Sequence, residues 1–307
     1  MLGPDEPARP ERTPIDDPDD ERLAPYREMR DANVAKRHGL FIAEGRLVVP
    51  ILLSVRSLYQ PVSILGTPVA LDALDPAVHH RLARSHPNLP IYEASQPVMD
   101  RVAGFAIHRG LVAAGRRREP QQTDTLFDKP DRSASAASRF VFAVEDLTNH
   151  DNLGGLFRNA AAFAADALLL SPRCCDHLYR KCVRVSMGHA LTTPVATWSG
   201  GRRGVQQLRE LGLFTIALTP DSSAPDIRDA IAELSAPKPD HALTARVQQI
   251  ALLIGSEGEG LSTGAIHAAD RRARIAMAPG LDSLNTAVAA AIAAREIAAA
   301  IGVLTRA

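Results

Sequence analysis

The second half of the chain alternates short, almost unbroken apolar runs with helical stretches. The runs are FVFAVE from Phe140, ALLLS, VATW, LFTIALT, IALLIG and RARIAM. Strands written this way are buried on both faces, which a parallel sheet with helices on either side provides. The intervening pattern predicts helices over Asn152–Ala164, around Leu178–Met187 and near Val205–Leu211, a shorter one after LFTIALT, and a long one from Leu284. From about residue 22 a smaller alternation precedes it: strand LFIAE, helix GRLVVPILLSVRS, strand VSIL, helix VALDALDPAVHHRLARS, strand LPIYE, then SQPVMDRVAG and a closing strand GLVAAGR. That reads as a small α/β layer domain. The text RRREPQQTDTLFDKPDRSASAASR between them, rich in Pro, Ser, Asp and Arg, reads as a linker. The chain therefore divides into a tail over 1–20, a first domain over 21–115, a linker over 116–138 and a parallel-sheet domain over 139–307.

Charge and composition narrow the function classes. Across 307 residues the net charge is zero, but residues 1–20 hold seven acids and two arginines, so the remainder carries +5. The acidic, proline-rich tail is expected to be disordered, and the mildly basic remainder suits a nucleic-acid partner without requiring one. No apolar run is long enough for a membrane span, and the first 22 residues lack the cationic and apolar regions of a secretory signal, so a cytoplasmic protein is expected. Cys174, Cys175 and Cys182 are odd in number and match no common zinc spacing. They are expected to be buried, reduced thiols, with no metal.

In open parallel sheets ligands collect at the carboxyl ends of strands, and three segments there carry unusual text. IGSEGEGLS over Ile254–Ser262 resembles a phosphate loop, but Leu261 stands where the lysine of a Walker loop belongs, and Glu257 and Glu259 oppose a triphosphate. The dinucleotide fingerprint also fails, since the glycine after Gly258 and Gly260 is Gly264, one place too late. These failures disfavour a nucleotide-dependent metabolic enzyme. In DLTNHDNLGGLFRNAAAFAAD, Asn152 and Asn159 share a helix face, and Gly154 and Gly155 suggest a close backbone approach. In RIAMAPGLDSLNTAVAAAIAARE, Asp282 or Ser283 reads as a helix cap with Asn285 in the first turn. Each taken alone has a bland structural explanation.

The order and spacing of the three, however, resemble the SpoU, or TrmH-like, branch of the SPOUT RNA methyltransferases. The first motif is N-x-G-x-x-x-R-x-A-x-x-F at Asn152, Gly154, Arg158, Ala160 and Phe163; the second is G-x-E-x-x-G-L-S at Gly255, Glu257, Gly260, Leu261 and Ser262. The third is S-L-N then V-A at Ser283, Leu284, Asn285, Val288 and Ala289. Ala164, Ser256 and Ala287 depart from the family's usual residues. The resemblance implies a C-terminal SPOUT domain with a deep trefoil knot, a homodimer through that domain, and a ribosomal-protein-like RNA-binding front domain. It implies S-adenosylmethionine as cofactor and transfer of its methyl group to a ribose 2′-hydroxyl of structured RNA, ribosomal RNA before transfer RNA. A non-catalytic RNA-binding or ribosome-assembly protein of the same fold is the alternative.

The implied catalytic set is Arg158, Asn152, Glu257, Ser283 and Asn285. Arg158 has the central role, as a clamp on phosphate and a stabiliser of alkoxide, with Glu257 as its resting partner. Cofactor contacts are expected from Thr219, Ile254, Gly255, Gly260, Ile275, Met277, Leu284 and Asn285, and RNA contacts from Arg30, Lys36, Arg37, Arg46, Arg180 and Arg184.

Overall fold

In the computed structural model, residues 10–27, 38–107, 110–127, 139–235 and 249–304 are described. The chain divides into two compact units, residues 1–119 with 176–192, and residues 120–175 with 193–307.

In the first unit the sheet order is β1-β4-β3-β5-β2, with β1 Thr13–Pro14, β2 Leu40–Glu44, β3 Gln60–Gly66, β4 Ile91–Glu93 and β5 Leu111–Arg116. β5 runs antiparallel to both β2 and β3, while β4 is parallel to β1 and β3. Side chains alternate across the strands. Phe41, Ala43, Ile64, Leu111 and Ala113 enter one core with Val49 and Leu52, whereas Ile42, Leu65, Val112 and Ala114 enter another with Met99 and Tyr26. Burial on both faces explains the unbroken LFIAE run. The expected helix over GRLVVPILLSVRS shrinks to Val49–Leu52, with Pro50 in its first turn; proline is tolerated there and not in a helix interior.

Three boundaries differ from the sequence reading. Residues 10–20 of the expected disordered tail are folded: β1 pairs with β4, and Ile15, only 3% exposed, drives it into the core against the surrounding acids. Asp176–Thr192, expected in the parallel-sheet domain, groups with the first unit because Leu178, Val183 and Leu191 are buried beside Phe41 and Ile64. The start of the expected linker is also ordered, as β6 Gln121–Gln122 and a helix Thr123–Phe127, where Thr123 Oγ donates to the Thr197 carbonyl at 2.6 Å.

His177 links charge to the stability of the first unit. Its Nε2 lies 3.1 Å from the Tyr59 hydroxyl, and burial pushes its pKa down to about 4 despite the neighbouring Asp176. Burial alone would raise the Asp176 carboxyl, but two hydrogen bonds from the Arg117 guanidinium bring it below its ordinary value. A histidine depressed in the folded state is neutral there and protonates first in the unfolded chain, so its contribution is complete above the unfolded pKa of ~6.5 and is lost toward pH ~4. Urea titrations are expected to lose on the order of 3 kcal/mol across that window, and His177→Gln should flatten the slope. An unchanged slope in the variant refutes the assignment.

The second unit is built on a wholly parallel sheet ordered β12-β10-β11-β7-β8-β9-β6. Its further strands are β7 Arg139–Val144, β8 Ala167–Leu170, β9 Val195–Thr197, β10 Phe214–Leu218, β11 Gln249–Ile254 and β12 Arg271–Ala273. One core gathers Val141, Ala143, Leu169, Ala251 and Leu253 with Val205 and Leu208 of helix Gly201–Glu210 and Ala265 of helix Thr263–Ala268. Helix His150–Ala162 packs against helix Thr286–Ala300, which also meets helix Ile227–Ser235. Residues in the C-terminal helix are mostly alanine, so neighbours approach closely: a Cβ on Gly155 would fall 2.8 Å from Ala287 Cβ. Among the described residues no helix is long and apolar enough to cross a membrane. Cys182 is buried, but Cys174 and Cys175 are only partly so, and no disulfide joins them.

Helix His150–Ala162 ends in a left-handed Ala164, φ 54°, with the Ala165 N–H bonded to the Ala160 carbonyl at 2.9 Å. Glycine is the usual residue at this kind of stop because the left-handed region costs an L-residue roughly 1–2 kcal/mol. Ala164→Gly is therefore expected to stabilise the protein by about 1 kcal/mol in chemical denaturation; a loss of stability contradicts this.

Candidate active site

At the carboxyl ends of β10 and β11 the chain leaves a cavity of about 680 Å³. It lies wholly in the second unit. Thr219, Ile254, Gly255 and Gly260 line one part and Ile275, Met277, Leu284 and Asn285 another, so all eight expected cofactor contacts meet there, joined by Glu257 and Ser283. Among the described residues the lining carries three carboxylates, Glu257, Glu259 and Asp282, and no Lys, Arg or His.

The loop from Gly255 is shaped by main chain. Ser256 and Gly260 exchange backbone hydrogen bonds at 3.3 and 3.2 Å, closing the turn that exposes Glu257. Gly255 faces the returning chain so closely that a Cβ there would stand 2.0 Å from the Gly260 carbonyl carbon and 2.1 Å from the Leu261 nitrogen. Only glycine fits this approach.

The three motif segments meet through side chains. Asn149 caps helix His150–Ala162, its Oδ1 accepting from the N–H groups of Asp151 and Asn152. The same first turn buries Asn152, 7% exposed, whose Nδ2 donates to Glu257 Oε1 at 2.7 Å. Asn285 Nδ2 donates in turn to Asn152 Oδ1 at 2.8 Å. Two helical turns further along, Asn159 Nδ2 donates to the Ala287 carbonyl at 2.7 Å. The shared face of Asn152 and Asn159 is thus turned to the third segment.

Two expectations are corrected. Asn285, not Asp282 or Ser283, caps the last helix, because its Oδ1 accepts from the N–H groups of Ala287 and Val288 at 3.0 and 3.2 Å. The expected Arg158–Glu257 pair is not formed: Glu257 takes Asn152, and Arg158, six positions and roughly 240° round the helix from Asn152, is exposed and does not line the cavity.

The expected RNA-facing cations divide. Arg46 and Arg184 are exposed, whereas Arg180 is only 13% exposed, paired with the buried Glu44 and stacked 4.6 Å over Phe105. Burying the ion pair turns that guanidinium inward. Arg30, Lys36 and Arg37 fall outside the described residues. Sequence reasoning named Glu259 and Asp282 but did not assign them to the cofactor site, whose cavity they line, and it missed the buried Glu145 beside it; the available signal for Glu145 was an acid ending an otherwise apolar strand.

Known proteins share both the sequence and the shape. The SpoU rRNA methylase family matches residues 139–295, which contain all three motifs. An uncharacterized tRNA/rRNA methyltransferase of Mycobacterium tuberculosis is 39% identical over 287 residues, covering 90% of this chain and 88% of its own. Among solved structures, the AdoMet-bound rRNA methyltransferase from Sinorhizobium meliloti superposes with a TM-score of 0.69 at 19% identity, covering 96% of this chain and 99% of its own. A structure described as an RNA 2′-O ribose methyltransferase gives a TM-score of 0.68 at 22% identity, covering 95% and 100%. A hydrogen-bonded junction of three motifs, inside the matched span and on a parallel sheet of the same shape, leaves one assignment: the chain belongs to the SpoU rRNA methylase family.

Proposed function

We propose that this protein transfers a methyl group from S-adenosylmethionine to a ribose 2′-hydroxyl of structured RNA, with ribosomal RNA as the substrate. The carrying observation is the meeting of Asn152, Glu257 and Asn285 at the edge of a cavity whose described lining residues include three carboxylates and no basic side chain. Such a cavity suits a cationic ligand without phosphates, and its volume of about 680 Å³ lies in the range of cofactor pockets. The AdoMet-bound relative and the relative described as a 2′-O ribose methyltransferase support the same reading.

When bound, the cofactor supplies a methyl group already activated by its sulfonium, so the protein's task is positioning and charge stabilisation. Gly255 and Gly260 would offer main chain to the cofactor, and Thr219, Ile254, Ile275, Met277 and Leu284, which line the same cavity, would hold it. Asn152 and Asn285 hold Glu257 in place, and Ser283 stands at the cavity where the ribose arrives. Arg158 clamps the target phosphate and stabilises the alkoxide developing on the ribose. A guanidinium keeps its proton throughout the working pH range, so it is not the base, and the hydroxyl proton passes to solvent water.

Homodimerisation through the second unit is part of this proposal. Leu284, Val288 and Ile292 form an exposed apolar row at helical spacing on and beside the last helix, suited to an isologous contact. Arg158, exposed and absent from its own chain's cavity, is then offered to the partner's. A deep trefoil knot is also proposed. It is supported by the strand order, with β10 between β11 and β12, and by the return of the segment after β12 to Asn152. The first unit, with Arg46 and Arg184 exposed, is proposed as a ribosomal-protein-like RNA-binding domain acting in the cytoplasm.

The test is incubation of the purified protein with radiolabelled S-adenosylmethionine and separated ribosomal and transfer RNAs, followed by mapping of the labelled nucleotide. Label resistant to alkaline cleavage, in ribosomal RNA, is expected. Label on a base, or in transfer RNA alone, corrects the substrate, and no label with any RNA favours a non-catalytic RNA-binding role.

A further inference from the structure

Beside the cavity, at the end of β7, lies a buried carboxylate that the reaction as described does not use. Glu145 is 5% exposed, and its backbone N–H donates to the Ile254 carbonyl at 2.8 Å, directly before the Gly255 loop. Its side chain gathers three uncharged donors from two separate segments. Oε1 accepts from the Gly201 N–H at 2.8 Å and from the Ser262 hydroxyl at 2.9 Å, and Oε2 accepts from the Ser262 N–H at 3.0 Å.

Both partners are built for this contact. Gly200 and Gly201 have φ of 69° and 56°, and a Cβ on Gly200 would lie 3.5 Å from Oε1. The left-handed pair brings the main chain of WSGGRRG onto the carboxylate. Ser262 also caps helix Thr263–Ala268, accepting from the Ala265 N–H at 3.2 Å. It directly follows Gly260 and Leu261, which line the cavity. Both ends of the Gly255 loop are thereby fixed by one residue, the start through its backbone and the finish through its side chain.

We infer that Glu145 is a positioning residue for the cofactor cavity: it holds the Gly255–Gly260 loop in its binding shape by tying Ser262 to the chain at Gly201. The inference rests on the proposed S-adenosylmethionine site and adds to it a residue outside the three motifs. Glu145→Gln keeps the volume but turns an NH₂ toward a donor, the Ser262 N–H or the Gly201 and Ser262 donors, so at least one contact is lost. Hydrogen bonds to a charged group are among the stronger ones.

The experiment is isothermal titration of S-adenosylmethionine into the full-length wild type, Glu145→Gln, Ser262→Ala and Ser262→Thr, with hydrogen exchange over residues 255–262. The expected result is a rise in Kd of about tenfold or more in Glu145→Gln and a smaller one in Ser262→Ala. Exchange in the loop should be faster in both, and Ser262→Thr, which keeps the hydroxyl, should restore binding. With RNA, Glu145→Gln is expected to raise the KM for cofactor far more than it lowers kcat. Unchanged Kd and loop exchange overturn the inference even if the melting temperature falls, since that marks a purely structural residue. If Glu145→Gln does not fold, the Ser262 pair decides by the same criteria. No binding by the wild type overturns the cofactor reading itself, and is told apart by that control.

Discussion

Replacing Arg158 by alanine is expected to yield a folded protein that binds S-adenosylmethionine as the wild type does but no longer methylates RNA. The side chain is exposed on helix His150–Ala162 and outside the lining of its own chain's cavity, so neither fold nor cofactor affinity depends on it. Its proposed work begins only when RNA arrives: fixing a phosphate and opposing charge on the ribose oxygen. Removing one such electrostatic group typically costs roughly 10²–10³ in rate, read as methyl incorporation per minute beside a titration showing unchanged Kd. Co-expression with a chain whose own cavity is disabled tests where Arg158 acts. If it serves the partner, mixed dimers recover one working site, roughly a quarter of wild-type activity for random pairing. An active Arg158→Ala homodimer removes the residue from the mechanism.

Gly255→Ala supplies that disabled cavity and is the second large effect expected. The added Cβ would meet the Gly260 carbonyl carbon at 2.0 Å and the Leu261 nitrogen at 2.1 Å. Both are backbone atoms, so no rotamer change relieves the clash and the loop must open. Overpacking at this closeness is expected to cost about 3 kcal/mol, the upper part of the usual range. Cofactor affinity should fall on the order of a hundredfold, some 2.7 kcal/mol by the same scale. The control is Gly258→Ala in the same loop: nothing lies within 4 Å of a Cβ there, and stability should move by less than about 0.5 kcal/mol. Denaturation and titration of both variants decide the point; equal behaviour of the two would refute the close-packing argument.

How much of this was legible in the sequence depends on the range over which each feature is encoded. The parallel sheet was legible because each strand carries its own burial signal: FVFAVE or IALLIG needs no partner to be recognised as doubly covered. The junction at the cavity edge was legible only as three spaced motifs, since no single one of Asn152, Glu257 or Asn285 announces that it meets the other two. Glu145 stood out only as an acid ending an apolar strand, and what it holds was not legible, because its partners at Gly201 and Ser262 lie 56 and 117 residues away. The grouping of Asp176–Thr192 with the first unit was hidden for a related reason: Leu178, Val183 and Leu191 present an apolar pattern that fits either core. In the tail, one buried Ile15 outweighs the acids around it. Composition averages over a segment, whereas a two-residue strand needs one side chain in the right hole.

The relay from Asn285 through Asn152 to Glu257 has a sense of direction. Asn285 commits its oxygen to the cap of the last helix and so presents nitrogen to Asn152; Asn152 receives it on oxygen and presents nitrogen to the carboxylate. No amide in this line can turn over without setting like against like at both of its ends. An aspartate at either position differs by a single atom and has nearly the same shape, yet when ionised it offers an acceptor where the next group needs a donor. The two asparagines are therefore read by orientation rather than polarity, and the cap of the C-terminal helix fixes which way round the first motif holds the second.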